Sequence, residues 1–436
     1  MFFNAKKILP VLLCLTAASC SSHKDLPQGK RISIMDTPSL ADVSAIKKAD
    51  IHLSSPVDIL VWSQTGSNAA HLNQNISVSK EAETLFTFDF GKGSSKGNLL
   101  MAAPVVANDI VYIQNVQGTV SAFNLKDGKK LFSRKLSSLN KNDSASGSNG
   151  VGLAVDGTRL YALAGFGGVF ALDASSGEMI WRRDLNLPIR TAPTIADNLL
   201  FVQTINNQLF CLNAKDGTEI WRYNISAEDT VLAGGATPAF DKTTDTVISA
   251  FSNGELQAFN AKIGYPVWSQ DLINTTLLPS PIHAVKASPV IDNKIVYAVG
   301  SNAQTMAVNI ETGDIIWQAP LGGTSSPLVD KEVLFMVSSD YELLALDKKS
   351  GDIFWRSPVL GETDLKHRRN IYIFAPLLLN DSIFVAASNG MIMRYDAKTG
   401  VLQSEDYIGQ NIAVQPIAAD GSLILTTENA KLIIYR

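Results

Sequence analysis

The stretch that decides the fold is Ala171-Leu-Asp-Ala-Ser-Ser-Gly177-Glu-Met-Ile-Trp181, because the chain spells it again as Cys211-Leu-Asn-Ala-Lys-Asp-Gly217-Thr-Glu-Ile-Trp221. Further copies run from Ala307 to Trp317 around Gly313, from Ala345 to Trp355 around Gly351 and from Phe259 to Trp268 around Gly264. Degenerate copies run from Ala122 to Phe132 around Gly128 and from Arg394 to Ser404 around Gly400. Successive glycines lie 49, 40, 47, 49, 38 and 49 residues apart, the period of a four-stranded propeller blade.

Working outward from the glycine, the unit reads as four short strands. Residues 103–136 alternate β-rich runs with an Asn-Asp turn, a Gln-Gly turn and a Lys-Asp-Gly turn, each suited to a tight hairpin. The glycine takes the positive φ that the last hairpin needs. The tryptophan four residues later begins the outermost strand and is placed to pack between blades. Asp173, Asn213, Asn260, Asn309, Asp347 and Asp396 recur at the entrance to that hairpin, where a side-chain oxygen caps the local backbone. They read as turn formers, not as a ring of catalytic carboxylates.

A proline announces the first strand of the unit at Pro104, Pro193, Pro238, Pro289, Pro327, Pro376 and Pro416, and Val151 to Ala154 fill the slot in the second copy. Proline is tolerated at a strand's first residues. That makes eight starts, but the last copy supplies only three strands before Arg436. The missing strand is available in Glu83 to Phe90, just ahead of the first copy. The expectation is all-β: one eight-bladed β-propeller over 57–436, its ring closed by an N-terminal strand in the C-terminal blade, so that open sheet edges are hidden.

Composition excludes other classes. Charged residues, at 18% of 436, are compensated by 46% hydrophobic residues, which argues against disorder. Beyond the N-terminus no apolar run reaches the length of a membrane span, so a polytopic membrane protein is not expected. A net charge of −4 without a basic stripe does not make a nucleic-acid surface.

At the N-terminus Lys6 and Lys7 precede the apolar run from Ile8 to Leu15, and Ala17-Ala18-Ser19 stand directly before Cys20. This is a secretory signal over 1–19. The cysteine after the small residues resembles a bacterial lipobox, with Ala17 where leucine is usual. An ordinary secretory signal with a chance cysteine is the competing reading. Lipidation at Cys20 would anchor a soluble body without a transmembrane helix, and residues 20–56 read as its polar tether. Ser21 and Ser22, rather than an aspartate, resemble the sorting pattern for the outer membrane. Cys211 is then the one cysteine of the body, on a face that alternation points into packing, and an inert buried thiol is expected.

The chain shows little chemistry. Its five histidines are scattered, and neither a metal-ligand spacing nor a nucleophile elbow nor a phosphate loop is present. Lys366 to Arg369 and Ser137 to Gly150 read as solvated connections. The tryptophan-bearing repeat resembles that of pyrroloquinoline-quinone dehydrogenases, which carry a vicinal disulfide, a calcium ion and a tryptophan floor. This sequence has no Cys-Cys pair, and its six tryptophans are five repeat positions plus Trp62, so no cofactor and no metal are expected.

With a lipobox, eight units and little chemistry, the chain resembles the BamB family, propeller lipoproteins of the outer-membrane β-barrel assembly machinery. Trp62-Ser-Gln-Thr-Gly66, Lys286-Ala-Ser-Pro-Val290 and Val414-Gln-Pro-Ile-Ala-Ala-Asp-Gly421 carry the resemblance, which spans about 57–436. It implies a non-enzymatic scaffold at the periplasmic face of the outer membrane, binding the POTRA region of the Omp85-type protein BamA and assisting barrel insertion. The alternative is a periplasmic quinoprotein, and a propeller funnel that binds polysaccharide or peptide is a third possibility. The family's contact patch pairs a Leu-x-Leu-Arg loop with an Asp-x-Asp loop. The matching positions are Thr230-Val231-Leu232-Ala233 and Ala284-Val285-Lys286, of which only Leu232 keeps the pattern. The resemblance then implies apolar contact by Val231 and Leu232, Ala233 and Ala284 where charges are lost, and a polar rim of His283 and Lys286.

Overall fold

A computed structural model describes residues 50–79, 84–138, 150–225, 234–273, 285–301, 304–361 and 371–436. Turn chemistry builds the unit. In blade 1, β2 (Val105–Ala107), β3 (Ile110–Gln114), β4 (Thr119–Asn124) and β5 (Lys130–Lys135) form an antiparallel meander. Asn108 and Asp109, both at positive φ, turn β2 into β3, the two-residue geometry that matches strand twist. The backbone N–H of Lys126 donates to Asn124 Oδ1 at 2.8 Å, and the same cap recurs from Ser175 to Asp173 and from Lys215 to Asn213.

The described residues form eight such four-stranded sheets. Blades 1 to 7 cover 105–135, 152–184, 194–224, 239–271, 290–319, 328–358 and 377–407. Blade 8 takes β30 (Ile417–Ala419), β31 (Ser422–Thr426) and β32 (Lys431–Tyr435), and its outermost strand is β1 (Thr84–Asp89), antiparallel to β32. The expected closing strand is therefore the strand that closes the ring. No helix is present among the described residues.

The glycine and the tryptophan of the repeat meet across blade boundaries. A Cβ on Gly217 would lie 2.7 Å from Trp181 Cε3, and one on Gly351 would lie 2.6 Å from Trp317 Cε3. The indole of one blade thus lies flat on the bare hairpin of the next. Each indole N–H also donates across the boundary, as from Trp181 to the Ala214 carbonyl at 3.0 Å and from Trp355 to the Ala397 carbonyl at 3.2 Å. Phe132 and Phe88 take the same place against Gly177 and Gly128. Blade 7 carries Ser404 there, and blade 8 has the chain break of β32 and β1 where the hairpin glycine would be. A docking ring has nothing to dock on at that boundary.

Residues 50–79 are the departure from the sequence reading. They form no strand, yet they run round the inside of the ring and touch every blade. His52 N donates to Glu332 Oε1 in blade 6 at 2.8 Å, and Asp420 N in blade 8 donates to the Ile59 carbonyl at 2.7 Å. Trp62 exchanges two 2.8 Å backbone bonds with Val106 in blade 1. Val155, Phe240 and Ile291, in blades 2, 4 and 5, donate to the carbonyls of Ser63, Ala69 and Ala70. Gln64 bonds both ways with the Ile195 backbone in blade 3. Ile76 closes the circuit on Leu378 and Asn380 in blade 7. The innermost strand of every blade has an unpaired edge facing the axis, and this segment supplies partners for groups that would otherwise be buried without one. The packed body reaches upstream of 57, since Ile51 is buried.

Candidate functional site

The segments that enter the innermost strands and the segment that fills the axis together enclose a funnel of about 470 Å³. Its walls are the residues just before the strand-start prolines, its floor includes Trp62, Gln64, Gly66 and His71, and it opens at the end where the inner strands begin. Side chains tie neighbouring walls together. Thr237 N donates to Ser288 Oγ, and Ser288 N donates to Ser326 Oγ, each at 2.9 Å. Gln415 brackets the Ala375 backbone from both sides. The wall is thus rigid and hydroxyl-rich.

Five titratable groups line it among the described residues, Glu428 and four whose pKa values burial shifts. His71 in the floor is 3% exposed, with Nδ1 donating to the Pro289 carbonyl at 2.9 Å and Nε2 buried without a partner. Burial lowers its pKa to about 4, against the smaller opposing effect of that bond, so the imidazole is neutral. Tyr372 leaves about a third of its surface, 36%, open to the funnel, while its hydroxyl is tucked under the rim and donates to the Thr324 carbonyl at 3.1 Å. Desolvation raises that hydroxyl to about 12. Lys286 Nζ sits 5.8 Å from the Tyr372 ring centroid, a cation–π distance. Arg190 Nη1 donates to the carbonyls of Gly165 and Ile189. Burial lowers the pKa of both cations.

Quinone and calcium chemistry does not fit these residues. Trp62 is the one indole at the axis, but it is 2% exposed and packed into the core shared by blades 1, 7 and 8, so it offers no open face to a planar cofactor. No group of three potential metal ligands occurs among the described residues.

A family model described as outer membrane protein assembly factor BamB matches residues 141–357. An assembly factor of that name from Moranella endobia is 27% identical over 348 residues, 78% of this chain and 86% of its own. The chain is thus similar to the BamB family along most of its length. The crystal structure of BamB from Moraxella catarrhalis superposes with a TM-score of 0.68 at 16% identity, covering 81% of this chain and 99% of that one. A quinohemoprotein alcohol dehydrogenase from Comamonas testosteroni superposes with a TM-score of 0.66 at 13% identity, covering 86% and 80%. At such identities the two structures share the fold with this chain, and the fold alone does not separate the two chemistries.

Of the patch expected from the sequence, Lys286 lies on the funnel wall and Val285 beside it is buried. Val231, Leu232, Ala233, His283 and Ala284 lie outside the described residues, as does Cys20. Arg190, Tyr372 and His71 were missed. A signal for Arg190 exists: it stands three residues before Pro193, as Lys286 does before Pro289, so aligning the repeats on their prolines pairs the two.

Cys211 is wholly buried and free, and desolvation raises its thiol to about 12. A thiol so placed is a poor nucleophile.

Proposed function

We propose that this chain is a non-enzymatic scaffold of the outer-membrane protein assembly machinery, anchored by a lipidated Cys20, facing the periplasm and binding the POTRA region of an Omp85-type partner. The observation that carries the reading is the kinship with named assembly factors over 78% of the chain. The open end of the funnel, with Lys286 on its wall, is the face on which the partner docks. Leu232 and Val231 supply apolar contact there, and His283 and Lys286 the rim.

Affinity purification from solubilised membranes tests this. An Omp85-type barrel assembly protein is expected to come with the chain, and its absence would overturn the scaffold reading. A Leu232→Glu/Lys286→Glu double variant is expected to lose the partner, and full co-purification would move the contact elsewhere. Cys20→Ser is expected to shift the protein from the membrane fraction to the soluble periplasm, because the three acyl chains of a lipidated cysteine are its hold on the bilayer. A calcium-dependent quinone absorbance in the purified protein would instead make it a quinoprotein.

A further inference from the structure

Arg190 and Lys286 occupy one position of the repeat, three residues before the strand-start proline, in blades 3 and 5. In blade 4, between them, that position is Gly235, preceded by Gly234. Neither glycine contributes a side chain, and Arg190, Gly234, Gly235 and Lys286 all line the one funnel.

At the other end, where the inner strands finish, some lysines are paired: Lys126 with Asp109, Lys262 with Asp245 and Lys348 with Asp292, each at 2.6 Å. Neither Arg190 nor Lys286 has an ion-pair partner among the described residues. One carboxylate, Glu428, lines the funnel among the described residues, and it belongs to blade 8, across the ring from blade 4, where it accepts from Asn411 Nδ2 at 2.9 Å. Ser288 and Ser326 spend their oxygens as acceptors from neighbouring N–H groups, which leaves their hydroxyl hydrogens to donate. On a chain of net charge −4, this wall is a concave patch of donors and positive charge. Half-buried cations facing a cleft attract anions more strongly than exposed ones do, and charge-assisted bonds to carboxylate are their best pairing.

We propose that the funnel wall between blades 3 and 5 receives the acidic side chains of an extended segment of a protein partner. The cavity, of about 470 Å³, suits a short stretch of chain, and two cations two blades apart suit more than one carboxylate. The inference rests on the docking reading above and gives that docking its charge. Lys286 is held over Tyr372 and Arg190 against two carbonyls, so both are positioned before the partner arrives and little side-chain entropy is lost on binding.

The test uses the purified chain and a fluorescein-labelled peptide of four Glu-Ser repeats, with a Gln-Ser peptide as control, read by fluorescence anisotropy. The acidic peptide is expected to bind about tenfold tighter than the neutral one, with a preference that shrinks as salt rises. Arg190→Glu/Lys286→Glu should abolish the preference, and Lys286→Glu alone should weaken it, which covers the case that loss of the Arg190 bonds disturbs folding. Lys126→Glu, at the other end, should leave it unchanged. Equal affinity for the two peptides, or an unchanged preference in a Lys286→Glu protein with a native circular dichroism spectrum, would overturn the proposal. Peptide preference without co-purification of an Omp85-type protein would sink the docking reading and leave the acidic-segment site standing.

Discussion

His71 shows what a single residue contributes to this ring. Its pKa falls from an ordinary 6.5 to about 4 on folding, so between those values the unfolded chain binds a proton that the folded chain refuses. Stability therefore declines as pH drops from about 6.5 towards 4, by roughly 3 kcal/mol at most for this group. Urea titrations at pH 7 and pH 4.5 are expected to show a larger loss for the wild type than for His71→Gln. The imidazole was not legible as a site in the sequence, because nothing local to His71 says that its partner is the Pro289 carbonyl. Lys286 was legible only through resemblance to a family. Cys211 was legible from alternation alone, since which face of a strand is buried follows from a period of two.

At the scale of the element, the repeat works by lending a bare glycine to the neighbouring blade's aromatic ring. Trp317→Ala leaves a cavity over Gly351 and frees the Lys348 carbonyl that the indole N–H reaches at 2.9 Å. A loss of about 3–5 kcal/mol is expected. Gly351→Ala attacks the same contact from the other side, at φ +77° and with a Cβ 2.6 Å from the ring, and should cost more than about 1 kcal/mol. Both are read from urea midpoints. Ser404→Trp should bring no gain, because the hairpin glycine it would need is replaced by the break between β32 and β1. The exception at Ser404 thus follows from the closure, and the same closure places Phe88 of β1 on Gly128.

For the whole molecule, the segment 50–79 fills the axis of the ring and turns an open channel into a funnel with a floor. Ile76 is wholly buried although it lies in no strand. Ile76→Ala is expected to cost about 2–5 kcal/mol, as in a strand core. The amides of Val155, Phe240 and Ile291, which donate to this segment, should exchange slowly with solvent in the native state. Fast exchange at all three, with the rest of the ring protected, would remove the segment from the axis. The sequence by itself determined the blade, the number of blades, the place of the repeat tryptophan between blades and the closing strand. Each of these rests on hairpins between residues close in the chain, whose turn chemistry and alternation are written locally. Only the tertiary structure decided the course of 50–79 and the company of Arg190, Lys286 and Tyr372. Those partners lie on eight separate inner strands and their entry segments, so no period in the sequence records them, and the closed ring alone brings them to one axis.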